Sequence, residues 1–246
     1  MRPWCAALPE RIGAVERWLL PPACLLCGEA AGGRGDDPLV CPMCRTRWRR
    51  LPEPQCSRCG QPVDGETDCR ICEGWPEGFS GVASAVWLDG PARQAVHALK
   101  YDGWQRMAES LAMVMDDLRP LRAGVSLVPI PLGAARRRSR GYNQSEAVAG
   151  AVGRRRGLPV EACLVRTRET RSQTSLTPEE RAANLKAAFS ARGRVPARVV
   201  LVDDVFTTGA TLRSAAAALL AAGAESVAAV TFGRAELPLA ALGRTI

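Results

Sequence analysis

Four Cys-x-x-Cys pairs, Cys24/Cys27, Cys41/Cys44, Cys56/Cys59 and Cys69/Cys72, follow one another with 13, 11 and 9 residues between pairs. Each pair forms a knuckle whose two sulfurs reach one metal ion, and two knuckles complete a tetrahedral zinc site of four cysteines. Eight cysteines therefore predict two zinc ions. No histidine or carboxylate substitutes for a cysteine, so both sites are expected to be closed and structural rather than catalytic. Sequential pairing is expected, 24/27 with 41/44 and 56/59 with 69/72; an interleaved cross-brace is the alternative that the spacing leaves open. Residues 21–75 are otherwise rich in Gly, Pro and charge. Metal is thus expected to supply the folding free energy there, about 10 kcal/mol per site, and to hold a core separate from the rest. Cys5 and Cys163 stand outside the array, as core or incidental residues.

Disulfides are not expected, because the chain reads as cytoplasmic. Glu10, Arg11, Glu16 and Arg17 interrupt any secretory apolar run, and no stretch approaches the roughly 18 apolar residues of a membrane span. Ile12, Val15, Leu19 and Leu20 predict an N-terminal amphipathic helix within residues 1–20, ended by Pro21 and Pro22. A metal-binding module follows over 21–78. From there the pattern is strand 81–88, helix 91–100, helix 105–118, strand 125–130, basic loop 131–141, helix 143–155 and strand 163–166. A polar stretch over 167–180, a strand or turn near 187–189, strand 198–202, helix 211–222 and strand 226–231 complete it. Alternation of this kind predicts an α/β fold, a mostly parallel sheet with flanking helices. His97, the only histidine, is expected to face solvent. The polar residues 168–185 are expected to form a lid, with a helix start at Thr177–Glu180.

The chemistry concentrates in residues 198–211. A buried strand, Val199 to Val202, leads into Asp203 and Asp204, then into the turn Thr207-Thr208-Gly209-Ala210-Thr211 and an apolar helix stopped by Gly223. Backbone N–H groups and threonine hydroxyls at a helix N-terminus bind phosphate, and the helix dipole favours the anion. Gly209 would let the backbone approach that phosphate. The carboxylates can accept hydrogen bonds from a vicinal diol, or sit near a divalent cation bridging the diol and a second phosphate. The geometry suits a sugar phosphate. Charge agrees: residues 1–80 carry 10 arginines against 11 acids, whereas residues 81–246 carry 23 Lys and Arg against 14. The basic part suits a polyanion, whether a diphosphate or a nucleic acid. Thiolates add negative charge to the metal module, where only Arg45–Arg50 with Trp48 gives a basic stripe, so that module is not expected to be the main nucleic-acid surface. Arg136 to Gln144 offers cations for a diphosphate.

Asp203 to Thr211 resembles the 5-phosphoribosyl-1-diphosphate (PRPP) loop of type I phosphoribosyltransferases. The resemblance implies that Asp203 and Asp204 hold the ribose hydroxyls. Val205, Phe206, Thr207, Thr208, Gly209, Ala210 and Thr211 would complete the PRPP-binding loop, with the threonines and Gly209 around the 5-phosphate. The wider order is Leu20-Pro-Pro-x-Cys-x-x-Cys, the tandem cysteine pairs, Lys100-Tyr-x-Gly103, Arg140-Gly-Tyr-Asn-Gln144, Arg166-x-Arg-x-Thr-x-x-Gln173 and Arg181-x-x-Asn184. Over nearly the whole chain it is similar to the ComF/GntX family. That likeness implies a double zinc ribbon over 21–78 and a phosphoribosyltransferase-like domain over 79–246. It also implies PRPP with Mg2+ as ligand, and Lys100, Arg137, Arg140, Gln173 and Arg181 as diphosphate or lid residues. A role in natural competence follows from it too, with single-stranded DNA and a competence helicase as partners and no membrane. One reading is an enzyme that transfers phosphoribosyl to an acceptor the residues do not name. The other is a non-catalytic PRPP sensor or single-stranded-DNA-associated protein on the same fold. Elemental analysis of the purified chain is expected to find about two zinc ions per molecule; none, or iron alone, would contradict the cysteine reading.

Overall fold

The computed structural model describes residues 23–31, 37, 39–63, 69–167 and 188–236. The expected helix at 8–20, Cys5, and the lid stretch with Gln173 and Arg181 lie outside them. Four strands, β1 (Phe79–Trp87), β2 (Ser126–Pro129), β5 (Arg198–Phe206) and β6 (Ser226–Arg234), form one parallel sheet in the order β1-β6-β5-β2. Two short strands, β3 (Leu164–Arg166) and β4 (Phe189–Ala191), pair antiparallel in a separate ribbon.

The near-continuous apolar runs of the central strands follow from burial on both faces. Side chains alternate across β5. Val200 and Val202 join one core with Val230 and Phe232, while Val199 and Leu201 join the other with Val227 and Ala229. Helices α2 (Gly90–Tyr101), α3 (Met107–Met115) and α5 (Gln144–Arg156) fill the first core through Leu99, Leu111, Met115 and Val148. Helix α6 (Ala210–Ala221) fills the second through Leu212, Ala215, Ala216 and Leu219. One expected loop is a helix: residues Ala134–Arg140 form α4, because alanine and arginine are good helix formers and Gly141 ends the run.

The metal module does not keep a core of its own, contrary to the sequence expectation. Its first half, with helix α1 (Pro42–Thr46), contributes Val40, Cys44 and Trp48 to the first core, where Trp48 meets Phe232 edge-on at 5.0 Å. Its second half contributes Cys59, Cys72 and Trp75 to the second core, where Trp75 stacks on Phe79 at 4.7 Å. The module therefore straddles the sheet beside β1. It also supplies the partners that β1, as an edge strand, lacks. Arg49 O accepts from Trp87 N at 2.8 Å, Arg50 bridges Val86, and Arg58 O accepts from Val82 N at 2.8 Å. A Cβ on Gly81 would lie 2.5 Å from Arg58 O, so only glycine admits this approach. Covering an edge in this way removes a site for non-native strand pairing.

Shared cores predict shared stability. Trp48→Ala is expected to cost the whole domain about 3–5 kcal/mol, and Cys41→Ser to destabilise the sheet as well as residues 21–75. Coincident far- and near-ultraviolet melting would show one cooperative transition; two separated transitions would restore the picture of independent cores.

Candidate functional site

The eight cysteines gather into two sets, Cys24, Cys27, Cys41 and Cys44, and Cys56, Cys59, Cys69 and Cys72, with all sulfurs of a set within 4.8 Å of one another. Pairing is sequential, not interleaved. Contacts of 3.7 Å between Cys27 and Cys41 and between Cys56 and Cys72 approach the separation of about 3.8 Å that tetrahedral Zn–S bonds impose. Cys59 and Cys69 lie at 3.3 Å. Backbone N–H groups already point at the sulfurs: Cys24 Sγ accepts from Leu26 and Cys41, and Cys41 Sγ from Cys44. Burial pushes the Cys24 thiol up, but the N–H groups of Cys41 and Leu26 outweigh it and bring it down to about 7. Burial, reinforced by neighbouring sulfurs, drives Cys44 and Cys59 well up and Cys72 up to about 12. Crowded, partly protonated thiols of this kind are relieved when a metal ion replaces the protons. Both sets fit zinc.

A second site opens at the carboxyl ends of the strands. The pairing of β2 with β5 stops at Pro129 and Val202, whereas β5 runs on beside β6 to Phe206 and Arg234. The aspartates thus lie within the strand, not after it as the sequence suggested, and on the side that β2 has vacated. The connections leaving β2 and β5 also pack on opposite faces, which is where open α/β sheets leave a ligand crevice. A cavity of about 290 Å3 occupies the gap, and Asp203, Asp204 and Thr211 line it.

Its other walls come from the basic segment. Asn143 caps α5, accepting from Ser145 N at 3.0 Å, and its amide donates to Ile130 O at 3.0 Å. That cap fixes Gln144 and Ser145 at the cavity, where Ser145 Oγ donates to Asp203 Oδ1 at 2.8 Å. Gln144 is 6% exposed, and its Oε1 has no hydrogen-bond donor among the described residues. The Tyr142 hydroxyl donates to Leu99 O and holds the end of α2, from which Lys100 Nζ reaches Asp204 Oδ2 at 2.8 Å. Burial and the Asp204 charge push Asp203 up to about 7, against the pull of Ser145 and Lys100. Asp203 is thus poised to change charge near neutrality, in a cavity that cations line.

Arg136 and Arg140, one turn apart on α4, line the cavity together with Arg166. Arg140 also lies 4.8 Å over the ring of Tyr101, a cavity-lining residue 64% exposed. Arg137, the sequence candidate, does not line it. Its position on α4 turns it to Glu146, which it grips through two bonds of 3.0 and 3.2 Å. Arg136, from the same basic segment, lines the cavity instead. Nor do Val205 and Phe206 line the cavity: Val205 packs into the first core, and Phe206 is buried in the second. Thr207 and Thr208 are exposed and Ala210 is half-buried. Gly209 has φ +75°, and a Cβ there would meet Trp75 and Phe206 at 3.0 Å. Packing against Trp75 and Phe206 together with the positive φ thus requires this glycine. His97 is exposed near Asp102, as expected. Ser145 carries no periodicity or spacing signal of its own, whereas Arg166 heads the motif Arg166-x-Arg-x-Thr-x-x-Gln173 and is brought to the cavity wall. Among the described residues no helix is long and apolar enough to cross a membrane.

The two cysteine sets and the acid-pair strand at a sheet crevice define a protein that joins a double zinc ribbon to a phosphoribosyltransferase domain. Residues 15–73 match the family model of the double zinc ribbon domain, and residues 125–236 that of the phosphoribosyl transferase domain. The chain is 30% identical to the DNA utilization protein YhgH of Escherichia coli K12 over 220 residues, covering 85% of this chain and 95% of that protein. It is 28% identical to the competence protein ComFC of Streptococcus pneumoniae, over 83% of this chain and 96% of its relative. The ComFC of Bacillus subtilis is 28% identical over 80% and 85% of the two chains. The chain belongs to the ComF family, which includes ComFC and YhgH.

The Asp203 carboxyl is expected to titrate near pH 7 by carbon-detected NMR. Ser145→Ala and Lys100→Met each remove a group that favours its charged form and should move it higher; a titration in the ordinary range of about 4 would contradict the burial described.

Proposed function

We propose that this protein binds Mg2+·PRPP in the crevice between β2 and β5 and acts in competence and DNA utilization, the roles that the names of its relatives give them. The observation that carries the reading is the convergence on one cavity of Asp203, Asp204 and Thr211 with Lys100, Arg136, Arg140 and the unpartnered Gln144 oxygen. Asp203 and Asp204 accept the ribose hydroxyls. The N-terminus of α6, with Thr207, Thr208 and Thr211, receives the 5-phosphate, and Gly209 presents the backbone there without a side chain. Arg136, Arg140 and Lys100 face the diphosphate, and the Gln144 oxygen takes a donor from the ligand. The two carboxylates suit magnesium, which would neutralise the diphosphate and ease its departure.

If transfer occurs, the C1–O bond breaks and the sugar carbon passes as an oxocarbenium-like centre to a nucleophile, the electron pair leaving with diphosphate. The chain's part is to place the sugar, stabilise the departing charge and exclude water. Among the described residues the cavity offers no base besides the two aspartates assigned to the ribose, so a binding or sensing role on the same site is the alternative. Diphosphate release in the presence of candidate acceptors separates the two.

Calorimetry with Mg2+·PRPP tests the site. Asp203→Asn with Asp204→Asn should weaken binding more than tenfold, since charge-assisted hydrogen bonds contribute about 1.5–3 kcal/mol each. Arg136→Ala should weaken it more than Arg137→Ala. Because a protonated Asp203 loses its charge, affinity should also fall about tenfold from pH 8 to pH 6. Equal affinity in wild type and the double Asn variant would place the ligand elsewhere.

A further inference from the structure

Arg234, the last residue of β6, is 0% exposed and is the largest fully buried side chain among the described residues. Its guanidinium leaves the sheet and enters the second zinc ribbon. Nη1 donates to Cys59 O at 2.7 Å, Nε donates to Gln61 Oε1 at 3.0 Å, and Nη2 lies 3.9 Å from Cys59 Sγ. Among the described residues no carboxylate pairs with it. A buried guanidinium without an anion is costly, and the anion at hand is the Cys59 thiolate of a metal-bound set. Four thiolates around a divalent ion leave net negative charge, which a buried cation offsets. The first set shows no equivalent: among the described residues, Cys24 and Cys41 accept from backbone N–H groups, Cys41 also meets the Cys27 sulfur, and no side-chain cation donates to either.

The same guanidinium lies 4.2 Å over the ring of Phe206, the residue with which Arg234 pairs in the sheet. Phe206 and Trp75 in turn close on Gly209 at the head of α6, and Trp75 N donates to Cys72 O at 3.3 Å within the second ribbon. The second metal set and the phosphate loop thus grip one small cluster from two sides.

We propose that Arg234 is a positioning residue that neutralises the second four-cysteine site and ties its metal occupancy to the geometry of the loop Phe206–Thr211. Loss of metal from that site strands the guanidinium and loosens the loop directly, whereas loss from the first site reaches the loop only through the stability of the shared fold. The consequence for ligand binding rests on the PRPP reading; the structural tie does not.

The full chain with both metals is challenged with an excess of a chromogenic zinc chelator, and release is followed in time. Arg234→Met, similar in length but uncharged, should speed release of one ion at least tenfold and leave the other unchanged. Arg234→Lys, which keeps the charge but loses the fork, should fall between. In a Cys27→Ser background the first set is broken, and the remaining ion should show the accelerated phase. Gln61→Leu, a milder change, should affect the same phase less. With each variant held where it is fully folded, hydrogen exchange of the peptides spanning 206–211 should rise several-fold in Arg234→Met and clearly less in Cys27→Ser, whose effect reaches the loop only through the stability of the shared cores. Wild-type release in Arg234→Met, equal acceleration of both ions, or unchanged exchange in the loop would each overturn the proposal. Neither readout uses PRPP, so failure of PRPP binding and failure of this tie are separate results.

Discussion

A parallel sheet has to be covered on both faces and cannot leave a long edge unpaired. In this chain the cover at β1 is the metal module. Its backbone meets β1 at Arg49, Arg50 and Arg58, and its tryptophans enter opposite cores, Trp48 against Phe232 and Trp75 against Phe79. The module is short of apolar residues by itself, and the sheet is short of an edge partner; each supplies what the other lacks. Metal bound at the two cysteine sets would hold the module in the shape that makes this exchange work, and the shared cores make the ribbons part of the sheet's support.

The site follows from unequal strand lengths. Where β2 ends at Pro129 and β5 continues to Phe206, one flank of β5 has no neighbouring strand among the described residues, and Asp203 and Asp204 are left beside a cavity. Two adjacent carboxylates in that setting repel each other and are poorly solvated. Lys100 and the Ser145 hydroxyl stabilise the charged forms, yet Asp203 is still held up near neutrality. A group that shifts in this way through burial and a neighbouring like charge, at the wall of a cavity, is the physical ground of the proposal made for this crevice.

The loop at Gly209 shows two constraints meeting at one residue. Its positive φ and the closeness of Trp75 and Phe206 on one side leave no space for a side chain, whatever binds on the other. The phosphate-type turn is therefore shaped from behind by the second ribbon. Residues far apart in the chain, Cys72, Trp75, Phe206 and Arg234, act as a single packed unit under it.

By itself the sequence determined the features that depend on local spacing: the sulfur knuckles, the strand-to-helix turn after Asp204, and the alternation of strands and helices. Those are properties of residues close together in the chain, and periodicity records them. Which arginine faces the cavity was decided by the tertiary structure, since Arg136 and Arg137 differ only in the direction a helix gives them, and α4 had looked like a loop. The depth of Arg234, the merging of the ribbons with the domain cores and the place of Ser145 beside Asp203 were decided there as well. Each depends on partners far away in the chain, such as Asp203 for Ser145 and Cys59 for Arg234. A sequence pattern registers how residues repeat along the chain, while burial and charge pairing depend on which surfaces the folded chain brings into contact.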